Sequence, residues 1–339
     1  MNTDWENFLT LQGASFFEGI IQHFADADEQ RLVTEQENIL MELGQFSTLR
    51  VSGTDAQSFL QNLFSNDIRE VSANKAQFSS FNTAKGRMLA NFLVWQTGED
   101  YFLQLPCTLA VAILKKLSMY ILRAKVKIID VSCDVIALGI SGNDAASILS
   151  VTDLALLGVQ PFLMPSVTII KLSPMRFILH TPLEHAPALW KTLSEHCRPV
   201  GSVYWDWLTL RAGIPVIQFQ TQEQFVPQMV NFDLIGGINF KKGCYPGQEI
   251  VARMHYLGKL KRRMYLAHVN DAQTPMIGED LYSAEMGGQA CGTIANVAIS
   301  PKGGYDLLAV VQITSHDNEI VHLSSGAPLN FEALPYPLA

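Results

Sequence analysis

Residues 78–95 read FSSFNTAKGRMLANFLVW, two apolar-rich runs interrupted at Lys85-Gly86, which predicts a strand, a tight turn and a returning strand. DYFLQL at 100–105 continues that sheet, and the apolar spacing from Pro106 to Leu122 predicts a helix. VTIIKL (167–172) and RFILHT (176–181) read as strands, followed by a helix from about Pro187 to His196. Beyond residue 256 the pattern changes to short strands with glycine-rich turns (MGGQACG, PKGGYD, SSGAP), which predicts a small C-terminal β-barrel at 257–339, with its boundary near Tyr256 to Arg263. Strands and helices do not alternate regularly and no glycine-rich phosphate loop opens a helix. The pattern therefore predicts an α+β fold with antiparallel sheets, not a doubly wound nucleotide-binding sheet.

The chain also resembles itself. LRVSGTDAQSFL (49–60) and LGISGNDAASIL (138–149) share seven identities in twelve at a constant offset of 89. Each copy reads as a strand end, a Ser-Gly turn, an Asp suited to cap a helix, and an amphipathic helix. Duplication explains the match; turn chemistry common to strand-to-helix connections is the plainer explanation. Under duplication, residues 1–256 hold two similar, interleaved α+β subdomains.

Composition narrows the classes. The 339 residues are 48% hydrophobic and only 17% charged, against roughly 25% charged in an ordinary domain, so the chain folds. The most apolar run, Leu109 to Leu114, stops at Lys115 and Lys116, well short of the roughly 18 residues that span a bilayer. The opening MNTDWENFLT has no Lys or Arg and matches neither a secretory signal nor a basic transit peptide, so a cytoplasmic location is expected. Five cysteines without a CxxC pair fit a reducing compartment and supply no metal or cluster motif. A net charge of −8 argues against a dedicated nucleic-acid binder; no direct nucleic-acid binding and no membrane partner are expected.

Candidate chemistry concentrates in FVPQMVNFDLIGGINFKKGCYPGQEIVAR (225–253). Gly236, Gly237, Gly243 and Gly247 allow positive φ or close backbone approach, so this is a shaped loop. Cys244 follows Lys241 and Lys242, and nearby positive charge, with helical N–H groups after Gly247, favours a thiolate. A small buried cysteine is the commoner fate of a lone thiol. Glu249 and Arg253 lie four apart, the spacing of an ordinary i,i+4 ion pair.

The string KKGCYPGQEIVAR resembles the KGCYxGQE signature of the YgfZ family of folate-binding proteins. LQNLFSNDI, NTAKGRML, AGIPVI (212–217) and the LPY near the C-terminus resemble further segments of that family, so the likeness covers nearly the whole chain. It implies the fold of the glycine-cleavage T-protein: two similar folate-binding subdomains and a β-barrel around a central cavity. It also implies a maturation factor rather than a conventional enzyme, using tetrahydrofolate or another reduced folate. Its expected partners are iron–sulfur client enzymes, notably the radical enzymes that methylthiolate tRNA. By this resemblance Cys244 is the functional thiol, acting through a persulfide, cluster or redox contact. Lys242, Gly243, Tyr245, Gly247, Gln248, Glu249 and Arg253 form its loop. Phe46 and Trp205 match the aromatics that face the folate, where a flat pterin favours stacking; a core aromatic is the plainer reading of each. Many relatives carry Glu where this chain has Arg211, and Arg, a donor only, cannot replace that acceptor. Arg211 then either faces the glutamyl carboxylates or lowers folate affinity. Lys241, Lys242 or the run Lys259, Lys261, Arg262, Arg263 could meet the folate tail, the run being otherwise a solvated face.

Three alternatives remain. A folate-dependent aminomethyltransferase would place an acidic pair where this chain has Ala90 and Asn91, neither able to act as a carboxylate base. A cysteine hydrolase would need an oriented base, and His255 is the only histidine near Cys244 in sequence. A pure scaffold would need no chemistry at Cys244.

Overall fold

The computed structural model describes residues 2–24, 36–271, 273–318 and 320–338. Helix α1 (Thr3–Leu11) starts at Asn2, whose side chain accepts the Asp4 N–H at 2.9 Å, and buries Trp5 and Leu9, four residues apart on one face. A hairpin, β1 (Ala14–Phe17) and β2 (Ile20–Phe24), precedes β3 (Ile39–Glu42), which is buried at every position, and β4 (Phe46–Ser52). Gly53 turns β4 towards α2 (Ala56–Leu63); a Cβ there would lie 2.1 Å from the Lys125 carbonyl oxygen, so only glycine fits.

The hairpin predicted around Lys85-Gly86 forms from β5 (Gln77–Asn82) and β6 (Met88–Thr97), with Thr83 and Gly86 closing the turn. After β7 (Asp100–Pro106) the predicted helix is α3 (Cys107–Ser118), which ends earlier than expected; Leu122 adopts a φ of 45°, outside the helical region. Strands β8 (Lys127–Asp130) and β9 (Val135–Ser141) lead to the second copy of the repeat. Its helix, α4 (Ala145–Ile148), is a single turn, because Ser150 takes a φ of 51° and stops it. Neither repeat Asp behaves as anticipated from capping alone. Asp144 makes no side-chain cap bond and accepts from Asn38 Nδ2 at 3.0 Å, while Asp55 accepts the Lys125 N–H at 2.8 Å.

Strands β10 (Val159–Phe162), β11 (Met164–Ser173) and β12 (Arg176–Pro182) are followed by α5 (Ala186–Ser194), β13 (Arg198–Pro199) and α6 (Val203–Arg211). The chain ends through α7 (Gln248–Tyr256), β14 (Arg262–Val269), β15 (Asp280–Tyr282), β16 (Ala290–Ile299), β17 (Tyr305–Gln312), α8 (Ile313–Asn318) and β18 (Asn330–Glu332). The fold is α+β.

The chain divides into two compact units. The first contains residues up to 59, 69–77 and 93–205. Its larger sheet has the order β10-β11-β12-β9-β3-β13 and is antiparallel except for the two-residue β13–β3 pairing. Trp5 and Leu9 of α1 and Leu189, Trp190 and Leu193 of α5 bury their apolar faces with Leu138, Ile140, Ile169, Phe177 and Leu179 of this sheet. The Trp5 and Trp190 rings meet edge-on at 6.0 Å. The second unit contains residues 60–68, 78–92 and 206 onwards, and includes an antiparallel sheet of order β15-β16-β17-β14-β18. Alternate residues Tyr265, Ala267 and Val269 on β14, and Leu307, Ala309 and Val311 on β17, form its core face.

Glu42 closes β3 with only 3% of its surface exposed, accepting the Gly44 N–H at 2.8 Å. Burial pushes its carboxyl up to about 7. The folded protein therefore holds this proton between about 4.5 and 7, where the unfolded chain has released it, so stability falls as pH rises through that window. Urea unfolding at pH 5 and pH 8 should show a loss of about 3 kcal/mol from this group, and Glu42→Gln should remove the decline.

Candidate functional site

The loop that carries Cys244 is held from beneath by the segment that leaves α2. Ser65 Oγ donates to the Gly237 carbonyl at 2.7 Å and accepts the Ser80 N–H at 2.8 Å. Asn66 Nδ2 donates to Gly236 and Phe78 carbonyls at 2.8 and 2.9 Å, and Asn239 N–H bonds to the Ser65 carbonyl at 3.1 Å. Lys242 reaches deepest: it is 5% exposed, and its ammonium donates to the Gln61 carbonyl at 2.6 Å and to the Phe64 carbonyl. Carbonyls at a helix C-terminus have no intrahelical partner and carry the negative end of the helix dipole, so the ammonium satisfies both needs at the end of α2. Its Nζ also sits 4.9 Å from the Tyr245 ring centroid. Lys242, expected as a cation available to the thiol or to a folate tail, is thus engaged as a structural clamp.

Tyr245 is buried, and burial raises its phenol well above the usual range. Gly247 caps α7 with a φ of 79°; a Cβ there would lie 2.5 Å from Gly86 Cα and from the Thr83 carbonyl oxygen. The Gln248 N–H bonds to the Tyr245 carbonyl at 3.1 Å, and its Nε2 donates to the Lys242 carbonyl at 3.3 Å, folding the loop back on itself. Between the anchored Lys242 and Tyr245, Gly243 and Cys244 are exposed. Gly243 has no positive φ, and a Cβ on it would meet nothing within 4 Å. No backbone demand explains that glycine, and a side chain there would enter open space. The helix predicted after Gly247 is α7, but the ordinary Glu249–Arg253 pair is absent among the described residues, and both side chains are exposed.

The remaining expected residues are occupied differently. In the first unit Phe46 begins β4 opposite Pro106 and is half-buried. Trp205 is 2% exposed, packs on Gly139 and lies under the Arg176 guanidinium at 4.5 Å. Its ring is a core contact as the protein stands. In the second unit Arg211 donates to Glu332 and lies 3.9 Å from Asp306. Asp306 in turn accepts Trp207 Nε1 at 2.7 Å and pairs with His268 Nδ1 at 2.8 Å. Arg263 forms a bidentate pair with Asp233 at 2.8 and 3.1 Å, which removes it from the solvated run, whereas Lys259 and Lys261 are exposed. Asn91 Nδ2 donates to the Pro215 carbonyl and its Oδ1 accepts the Ile217 N–H, both at 2.8 Å, so it staples the AGIPVI segment.

A model of the family described as GCVT N-terminal domain matches residues 2–235. The tRNA-modifying protein YgfZ of Cronobacter sakazakii (strain ATCC BAA-894) is 30% identical over 311 residues, covering 88% of this chain and 93% of that protein. The chain belongs to the YgfZ family. The YgfZ of Yersinia pestis (strain Pestoides F) is 29% identical with the same coverage. The aminomethyltransferase T of the Bartonella henselae glycine cleavage system superposes with a TM-score of 0.80 over 99% of this chain and 97% of its own, at 17% identity; the T-protein fold is shared. The KKGCYPGQE string is, in this chain, an anchored loop around an exposed thiol.

A further buried polar residue lies in the strand next to the loop. Asn82, at the end of β5, is 1% exposed; its Oδ1 accepts from Ser80 Oγ at 3.1 Å, while its Nδ2 has no partner among the described residues. The strand feeds the Thr83–Gly86 turn that abuts Gly247. It opens the NTAKGRML segment.

Lys242→Met should lower unfolding stability by about 2–4 kcal/mol, since it leaves two buried carbonyls unmet. Cys244→Ala, at an exposed position, should stay within about 0.5 kcal/mol of wild type in the same urea titrations. Equal stability of the two variants would contradict the clamp.

Proposed function

We propose that this protein binds a reduced folate and serves tRNA modification, supporting iron–sulfur enzymes that methylthiolate tRNA through a contact made by Cys244. The observation that carries the reading is an exposed thiol on a loop fixed at Lys242, Tyr245 and Gly247, in a chain similar to proteins named for tRNA modification. A rigid frame that presents one accessible sulfur suits a transient thiol or persulfide contact with a client, because little ordering is needed on encounter.

For the folate, one feature of the second unit fits a polar heteroaromatic: the orphaned, buried Asn82 Nδ2 at the end of β5. Arg211, in the same unit, would have to exchange its existing partners to take part. Bound, the folate would supply the one-carbon or redox chemistry of its pterin. The aminomethyltransferase alternative is disfavoured by Asn91, whose amide is satisfied at both ends by backbone and offers no carboxylate.

The test is methylthiolated tRNA in a bacterial strain lacking its own homologue, complemented at matched expression. Wild type should restore the modification and Cys244→Ala should not; restoration by both would leave a scaffold with a dispensable thiol. In a separate fluorescence titration with tetrahydrofolate, Asn82→Ala should weaken binding about tenfold, the magnitude of one hydrogen bond to a buried amide.

A further inference from the structure

Charge is uneven in this acidic chain. Residues 240–262 hold six of its 24 Lys and Arg and a single acid, Glu249. Lys242 is withdrawn into the α2 clamp, but Lys241, Arg253, Lys259 and Lys261 are exposed and Arg262 is half-buried. Among the described residues none of these five has an acidic partner. Lys85, also exposed, sits in the turn whose Gly86 packs on Gly247 and on Ile250 at the start of α7. Cations therefore line both ends of the helix that follows the thiol loop.

The same surface carries rings. Phe240, the residue before Lys241, stacks on His255 at 3.8 Å and 13°, which brings the entry of the loop against the C-terminal end of α7. Tyr256 meets both edge-on, at 6.3 and 4.7 Å, and is 64% exposed; Leu257 beside it is more exposed still. An apolar, aromatic group left in water among unpaired cations is not explained by the fold of this unit.

We infer that the outer face of α7, with Lys85, Lys241 and the Lys259–Arg262 run, binds single-stranded RNA directly. Phosphates answer the cations, and unstacked bases answer the exposed Tyr256 and the Phe240–His255 stack. An acidic protein segment would use the cations but leaves the rings without a role, so RNA is the better match. Helix α7 is about 13 Å long, and with its flanks it suits about four nucleotides, the low end of known single-strand sites. The net charge of −8 excluded a nucleic-acid surface only on the assumption that charge is spread evenly; the local field is what a phosphate meets. The inference stands apart from the folate and Cys244 reading, since RNA binding is read without folate or client enzyme.

The experiment is fluorescence anisotropy of a labelled 12-nucleotide single-stranded RNA with the full-length protein between 50 and 250 mM KCl. Wild type should bind with a log–log salt slope of about −2 to −3.5, the value for three to five phosphate contacts. Lys259→Ala with Lys261→Ala should reduce that slope by about 1.4 and weaken binding roughly tenfold at 50 mM KCl. Tyr256→Ala should weaken it about 5- to 50-fold with the slope unchanged, because stacking releases no counterions. All three side chains are exposed, and unchanged unfolding midpoints separate lost binding from lost folding. No binding by wild type at 50 mM KCl overturns the proposal. So does binding insensitive to Tyr256→Ala and displaced equally by polyaspartate, which would mark a surface for an acidic protein.

Discussion

The thiol loop depends on one buried cation. Lys242 places its ammonium on the carbonyls that end α2, and that contact fixes the residue immediately before the Gly243-Cys244 pair. A lysine loses much of its hydration when only 5% exposed, and it is retained because those carbonyls would otherwise be orphaned. The interaction is mutual: α2 gains a C-terminal cap and the loop gains an anchor. Tyr245 beneath the same ammonium, and Gly247 pressed on the Gly86 turn, secure the other side of Cys244. The exposed sulfur is thus flanked by anchored residues on either side.

A polar network extends the same logic through the second unit. Asn91, Asn66 and Ser65 bond main-chain groups far away in sequence, and Asp306 collects Trp207, His268 and Arg211 around one buried carboxylate. Such groups are costly to bury singly and stable when each has a partner, so the network favours one arrangement of the segments it joins. Asn82 Nδ2 and Gln228 Oε1 are the exceptions among the described side chains of this unit, and an unmet buried amide is where a polar ligand has most to offer.

Much of this was readable from the chain. The hairpin at Lys85-Gly86, the helix after Gly247 and the short strands beyond residue 256 follow from periodicity and turn chemistry, which act over a few residues. The second repeat helix stops after one turn, because the backbone at Ser150 leaves the helical region although apolar residues continue beyond it. The KKGCYPGQE loop was legible as a motif with an exposed cysteine at its centre, but not as a mechanical object.

Local spacing and a specific motif suffice for the α+β class and the family, and both could be read from the chain alone. Only the tertiary structure decided what the neighbouring charges do. Lys242 finds its carbonyls 181 and 178 residues away, Arg211 its carboxylate 121 residues away, and Asn91 its backbone partners 124 and 126 residues away. A cation beside a thiol in sequence looks the same whether its ammonium faces the sulfur or a helix end. Which one it faces depends on the packing of distant segments, and that separates the buried clamp at Lys242 from the open basic face along α7.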